Sequence, residues 1–360
     1  YRPFTKQLLY YSTLLDDAYA LFSRIFPSRS AESENVVIAI SDHGHRSLFG
    51  VMASNIIPDL HLLASTDAFQ CFPLYTYDED GTNRRENITD WALARFQAAY
   101  GPAVTRRDIF AYVYAMLHHP AYRARYAENL KRELPRIPLV GVTGDTENAE
   151  GAEDAEDAED AEGEAGLAAT SRQGTVPEAG GPRSTSVSSV PSVVNPSVSS
   201  SASSASSAVD LFNTCVRIGG ELLALHLGYE QAREWPLVMR ETPGERADWR
   251  TKKMKLSADK TALVYNDWLT LEGIPAEVSR YRLGNRSALE WIVDQYQVSE
   301  DKRSGIVTDP NRPDDPEYIV RLIKRVVTVS VETVRLVDEL AARVDLLAAV
   351  GVKVEADVEA

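Results

Sequence analysis

The 360-residue sequence is poor in cysteine: Cys71 and Cys215 are the whole complement. They stand far apart and match no metal or redox spacing, which suits a reducing cytosol and excludes a disulfide scaffold. It also lacks a signal peptide and any apolar run of about 18 residues, so a soluble, cytoplasmic protein with no membrane partner is expected. No Gly-rich phosphate loop of either standard form is present, and "YRLGNRS" holds a lone glycine. In "SDHGH", Ser41, Asp42, His43 and His45 share one turn, whereas a hydrolase brings nucleophile, base and orienter together from different elements. Two histidines two residues apart are a weak metal signature, and a polar turn is the plainer reading. His118-His119, just before Pro120, read as a helix end where cations are favourable. No catalytic residue and no metal ligand is assigned.

What the sequence has in excess is acid, with a net charge of −15, but the excess is local. Asp145 to Glu164 carries 11 acids and no base. The wider segment 141–209 accounts for −10 of the −15, leaving −5 for everything else. Global charge therefore says little about partners, and local clusters decide.

Composition divides the chain. Residues 141–208 run from an acidic Ala/Glu/Asp repeat into a Ser/Ala-rich stretch that cannot bury enough apolar surface to offset its ordering entropy, and a disordered linker is expected there. The ordered parts are 1–140 and 209–350, with a tail at 351–360. The first residues, "YRPFTKQ", have no Met and begin in mid-pattern, so a fragment of something longer is expected. Strands are expected at Asn35–Ile40, in the returning "LFGVMAS", at Phe69–Tyr77, and through "TALVYNDWLTLEGIP" as one run.

Helices carry their own start and stop signals. Thr89 and Gly101 bound one, and Thr105 with Asp108 forms a capping-box-like start for the next. Another aligns Tyr122, Tyr126, Leu130 and Leu134. "DLFNTCVRIGGELLALHLGYEQ" is helical but weakened at Gly219-Gly220. Ser287 and Glu290 box the start of "SALEWIVDQY", whose apolar face makes Trp291 and Tyr296 core residues. The last helix is given Asp315 as N-cap, Pro316 in its first turn, and an apolar face of Ile319, Leu322, Ile323, Val326, Val334 and Val337. The fold class is α+β: mixed strands with packed helices, as one composite domain interrupted by a long disordered insert. Two separate domains are the alternative.

Basic and polar residues cluster at expected element ends and loops, where a scaffold presents contacts. The clusters are Asn83-Arg84-Arg85, Arg106-Arg107, Lys252-Lys253 with Lys255 and Lys260, Asn285-Arg286, Lys302-Arg303 and Asn311-Arg312. Arg and Asn read guanine and adenine edges bidentately, and Lys suits phosphates. By residue type and placement, Asn285, Arg286, Arg303, Asn311 and Arg312 are the candidate base readers. Lys252, Lys253, Lys255, Lys260, Lys302, Arg84, Arg85, Arg106 and Arg107 are the candidate phosphate contacts. Salt bridging on a solvated surface is the plain alternative for any single cluster.

Several long stretches, in order, resemble one known family. They are "YRPFTKQ", "DLHLLASTDAFQCFPLYTYDEDG", "HHPAYRARYAENLKRELPRIP", "DKTALVYNDWLTLEGIP", "YRLGNRSALEWIVDQY" and "DKRSGIVTDPNRPDDPEYIVRLI". Together they resemble the C-terminal specificity region of type ISP restriction–modification enzymes, over nearly the whole chain except 141–208. The resemblance implies a target-recognition domain that positions double-stranded DNA. An adenine-N6 methyltransferase, an ATP-driven translocase and a nuclease would lie elsewhere in the polypeptide, or the methyltransferase in a separate subunit. The Asn/Asp-Pro-Pro-aromatic motif and the S-adenosylmethionine loop of such a methyltransferase are missing: "VNPSV" lacks the second proline and the aromatic. No Walker or nuclease motif appears either. No cofactor is therefore expected in this chain, while the parent enzyme would use S-adenosylmethionine, ATP and magnesium. The rival readings are a catalytically active adenine-specific methyltransferase fragment, and a protein-docking module using the helical face around Tyr122–Leu134.

Overall fold

The computed structural model describes residues 3–9, 21–28, 31, 34–59, 62–63, 67–78, 80–142 and 199–349. Among them the chain is α+β. The β-branched run gives β1 (Val37–Ser41), buried at every residue, flanked antiparallel by β2 (Val51–Ser54) and β3 (Phe69–Pro73). Ile38 faces Ala53 on one side and Phe72 on the other. β4 (Tyr75–Thr76) pairs with β5 (Arg85–Glu86). Helix α1 (Asp90–Tyr100) starts on Thr89, whose side chain accepts from the Ala92 N–H, and stops at Gly101 with φ of 108°. Helix α2 (Arg106–His118) starts on the reciprocal Thr105–Asp108 box.

The next helix departs from expectation. α3 covers only Pro120–Arg125, and the chain then turns through a 3-10 segment at Asn129–Lys131. Tyr122 and Leu130 are buried but Leu134 is exposed, so the spacing of four does not mark one continuous face.

The expected linker is mostly outside the described residues, at 143–198. Helix α4 runs Ser199–Leu227, so it starts upstream of the expected boundary at 208. The chain departs and returns at one place. A Cβ on Gly141 would lie 2.7 Å from the Ala208 Cα, and Tyr100 stacks on Phe212 at 4.3 Å. One core joins residues of α1 and α2 to α4 and the end of the last helix. The other joins Phe4, Ala39 and Met52 to residues 229–334. Both cores thus draw on both sides of 143–198.

The second sheet is antiparallel, in the order β6 (Val238–Glu241), β9 (Leu269–Glu272), β8 (Ala262–Val264), β7 (Lys255–Leu256). The stretch expected as one strand is therefore a hairpin. Asn266 makes the turn, its Oδ1 accepting from the N–H groups of Trp268 and Leu269. Two more hairpins follow, β10 (Arg282–Leu283) with β11 (Arg286–Ser287) and β12 (Ser299–Glu300) with β13 (Val307–Thr308). Between them α5 (Ala288–Gln295) stands on the Ser287–Glu290 box and buries Trp291 and Ile292. Each such side chain contributes roughly 1.5–3 kcal/mol by leaving water. Helix α6 (Tyr318–Arg343) starts after Glu317, not on Asp315. Asp315 is drawn away by Arg321, whose Nη2 donates to both of its oxygens at 2.5 and 2.6 Å. Ile319, Leu322, Ile323, Val326 and Val334 form its buried face, and Val337 is half-buried. A short α7 (Leu346–Ala349) closes the described chain.

Candidate nucleic-acid interface

One loop, 246–253, is pinned from three sides. The Asn266 amide donates to the carbonyls of Asp248 and Arg250 at 2.7 and 2.8 Å. Tyr265 donates its hydroxyl to the Trp249 carbonyl at 2.6 Å, and Thr251, fully buried, donates its own to Tyr265 O. Asn311 closes the third side by bonding both the N–H and the C=O of Thr251 at 2.9 Å. The backbone is fixed inward, and Lys252 and Lys253 are left exposed. At its end, Lys252 O accepts from Val298 N, which ties the root of the β12–β13 ribbon to the same loop.

Loop and ribbon bound a groove of about 1170 Å³, whose walls include Arg246, Lys252, Lys253, Asn266 and Val307. It is not uniformly basic. Asp248, Asp267 and Asp309 also line it, and Arg250 pairs with Asp309 at 2.7 Å. Asp309 accepts from the Asn311 backbone and amide and from Arg250, which holds its carboxyl below the usual range. This carboxylate is spent internally. At the ribbon tip, Asp301 accepts from the backbone of Ser304 and Arg303 and leaves Lys302 and Arg303 projecting.

The candidate residues divide sharply. Lys252 and Lys253 meet in this groove, Lys302 and Arg303 stand on the ribbon beside it, and Lys255 is exposed on edge strand β7. Asn311 belongs to the same place, but both ends of its amide hold Thr251, so it acts as a clip. Arg312 lays its guanidinium 3.4 Å from the Tyr318 ring centroid. Lys260 pairs with Glu290 of the α5 box at 2.8 Å.

Asn285 and Arg286 lie at a different contact. Gly284, at φ of +62°, brings the β10–β11 turn against the first part of the chain, where a Cβ would sit 2.3 Å from Leu63 O. There Asn285 Oδ1 accepts from Leu48 N at 3.3 Å. Arg286 pairs with Asp294 at 2.5 Å and covers the Trp291 ring at 5.0 Å. Arg84 pairs with Glu34, Arg85 with Asp78, and Arg106 with Glu86 and Asp90. Arg107 is exposed on α2. No hydrogen bond or ion pair among the described residues links these N-terminal arginines to the groove.

The Ser41–His45 turn is structural. Ser41 Oγ accepts from Gly50 N, and His45 Nδ1 donates to Asp42 O. The His118-His119 pair ends α2 as expected, but not as cations. Both are buried, His118 to 4% exposure, and burial pulls its pKa down to about 4. Among the described residues no group of three or more His, Cys, Asp or Glu could hold a metal. No helix among them is long and apolar enough to cross a membrane.

Sequence reasoning missed Arg246, Arg250, Asn266 and Val307. The one available signal was Asn266-Asp267, a turn pair inside an apparent strand.

Residues 1–148 and 205–322 match the family described as the Type ISP C-terminal specificity domain, and the chain belongs to that family. Solved structures agree. The chain is 30% identical to a nuclease-deletion mutant of the Type ISP restriction–modification enzyme LlaGI in complex with a DNA substrate mimic, with a TM-score of 0.64. It is 33% identical, with a TM-score of 0.66, to a DrdV–DNA complex, and 26% identical, with a TM-score of 0.67, to the ATP-dependent Type ISP enzyme LlaBIII bound to DNA. Each match covers 94% of this chain but only 24%, 27% and 18% of the respective neighbour. No curated protein matches the chain.

Proposed function

We propose that this chain is the DNA target-recognition part of a Type ISP restriction–modification enzyme, and that it selects a short site on duplex DNA. The observation that carries the reading is the pinned 246–253 loop. It holds Lys252 and Lys253 outward beside a ribbon bearing Lys302 and Arg303, in a chain of the specificity family. Lys252, Lys253, Lys255 and Lys302 neutralise phosphates, Arg303 reads a base edge, and the walls of the groove set the register. The chemistry belongs to other parts of the longer enzyme. An adenine-N6 methyltransferase using S-adenosylmethionine modifies the site, and ATP with magnesium drives the translocating nuclease. Asn285 and Arg286 support the contact between the β10–β11 turn and residues 48–63. Arg312 stiffens the approach to α6 through Tyr318.

Gel-shift titration of selected duplexes tests this. Arg303→Ala should relax one position of the site at a cost of about 1–3 kcal/mol. Equal binding of all duplexes by the unaltered chain would refute the recognition reading.

A further inference from the structure

The β12–β13 ribbon has no structural reason to be apolar. Every residue from Ser299 to Asp309 is exposed, so it adds nothing to either core. Yet it displays Ile306 at 66% and Val307 at 58% exposure. Polar residues would serve an isolated two-stranded ribbon better.

Its tip is nevertheless closed by backbone hydrogen bonds. Gly305 N donates to Asp301 O at 2.7 Å, Asp301 N donates to Ile306 O at 2.9 Å, and Gly305 supplies the left-handed residue at φ of +71°. Its root is held by the Val298–Lys252 bond and the Asn311–Thr251 clip. The ribbon thus projects beside the groove with hydrogen bonds closing both its root and its tip.

Pairing places Val307 opposite Glu300 in the ribbon, whereas Ile306 stands one residue before β13 and is not on the groove wall. Val307 is on the wall of the groove, together with Arg246, Lys252 and Lys253. The wall also carries Glu245, Asp248, Asp267 and Asp309, but Asp309 pairs with Arg250 and Asp248 accepts from Arg250 N, so Arg246, Lys252 and Lys253 stand beside the apolar contact. Such a contact suits a partner that combines an apolar spot with negative charge. The major groove of duplex DNA does so: it admits a two-stranded ribbon, and the thymine C5-methyl is an apolar group on its base edges.

We infer that the ribbon Ser299–Thr308 enters the major groove and that Val307 reads a thymine methyl group there, while Ile306 takes no part in base readout. This rests on the DNA-recognition reading above and names a specificity-determining residue within it.

The test starts from a site selected by the full chain out of randomised duplexes. Each thymine of that site is then replaced in turn by deoxyuridine, which removes only the methyl group. At one position the replacement should weaken the unaltered chain about fourfold, the worth of one methyl group returned to water. Val307→Ala should bind the two duplexes equally, and Ile306→Ala should keep the fourfold difference. Both residues are exposed, so neither change threatens the fold. A clear site preference in which no thymine replacement matters, or in which Val307→Ala keeps the full difference, overturns this inference alone. A chain without preference for any duplex overturns the recognition reading and this inference with it. That outcome would leave the ribbon's aliphatic residues to a protein partner.

Discussion

Asn311 and Thr251 are 60 residues apart and hold each other by two reciprocal hydrogen bonds. Thr251 N donates to Asn311 Oδ1, and Asn311 Nδ2 donates to Thr251 O, both at 2.9 Å. The pair joins the segment after the ribbon to the buried end of the basic loop. Asn311→Ala would leave two buried backbone groups unsatisfied, at a cost of about 1–3 kcal/mol. Denaturant titration should show that loss. Affinity should fall by a similar factor on every duplex, because a loosened loop misplaces Lys252 and Lys253 together. Loss of preference at one base pair, with stability unchanged, would instead make Asn311 a base reader.

Lys252 and Lys253 are exposed on the groove wall, whereas Lys260 is occupied by Glu290. Phosphate contacts release counterions, so the salt dependence of binding counts them. Lys252→Ala and Lys253→Ala should each lower the slope of log K against log salt by about 1, without changing sequence preference. Lys260→Ala should leave the slope where it was. The same titration at several salt concentrations separates the three variants.

Gly219 and Gly220 are adjacent in α4 and opposite in consequence. A Cβ on Gly219 would sit 1.9 Å from the Ala111 carbonyl oxygen of α2, while nothing lies within 4 Å of one on Gly220. The first glycine permits the close approach of the two helices, and the second is only a helix-weakening residue. Gly219→Ala should therefore destabilise by 1–3 kcal/mol or more, since backbone must move (an order-of-magnitude figure for overpacking). Gly220→Ala should stabilise by about 0.5–1 kcal/mol. Thermal melts of the two variants should shift in opposite directions.

What was legible in the sequence was local. Both capping boxes, the Thr89 and Gly101 ends of α1 and the buried face of α6 are set by residues within a few positions of each other, and the structure has them. Errors arose wherever a distant partner decided. Asp315 could cap a helix, but Arg321 takes its carboxylate. The Tyr265–Trp268 turn was hidden because two apolar strands run into it from both sides. Of the candidate site, the residue types were visible but their availability was not. Glu34, Asp78, Glu86 and Glu290 occupy Arg84, Arg85, Arg106 and Lys260. Only the folded chain shows that Lys252, Lys253, Lys302 and Arg303 are left facing outward.

The buried histidines make stability depend on pH in a window of their own. His118 Nδ1 faces the Tyr114 carbonyl at 2.8 Å and so carries a proton, while Nε2 has no hydrogen-bond partner among the described residues. Burial lowers its pKa from 6.5 to about 4 and pulls His226 and His119 in the same direction. The unfolded chain then binds the proton first. His118's contribution is complete above pH 6.5 and is lost as pH falls from there toward 4. At pH 5 the loss from His118 is about 2 kcal/mol. Asp301 and Asp309, whose carboxyls are held below their ordinary value, remain ionised there and do not contribute. Denaturation midpoints at pH 7 and pH 5 should differ accordingly. His118→Gln, which cannot take up the proton, should be less stable at pH 7 but should lose less between pH 7 and pH 5. Equal pH dependence in the two proteins would mean that His118 is not the group whose protonation opens this core.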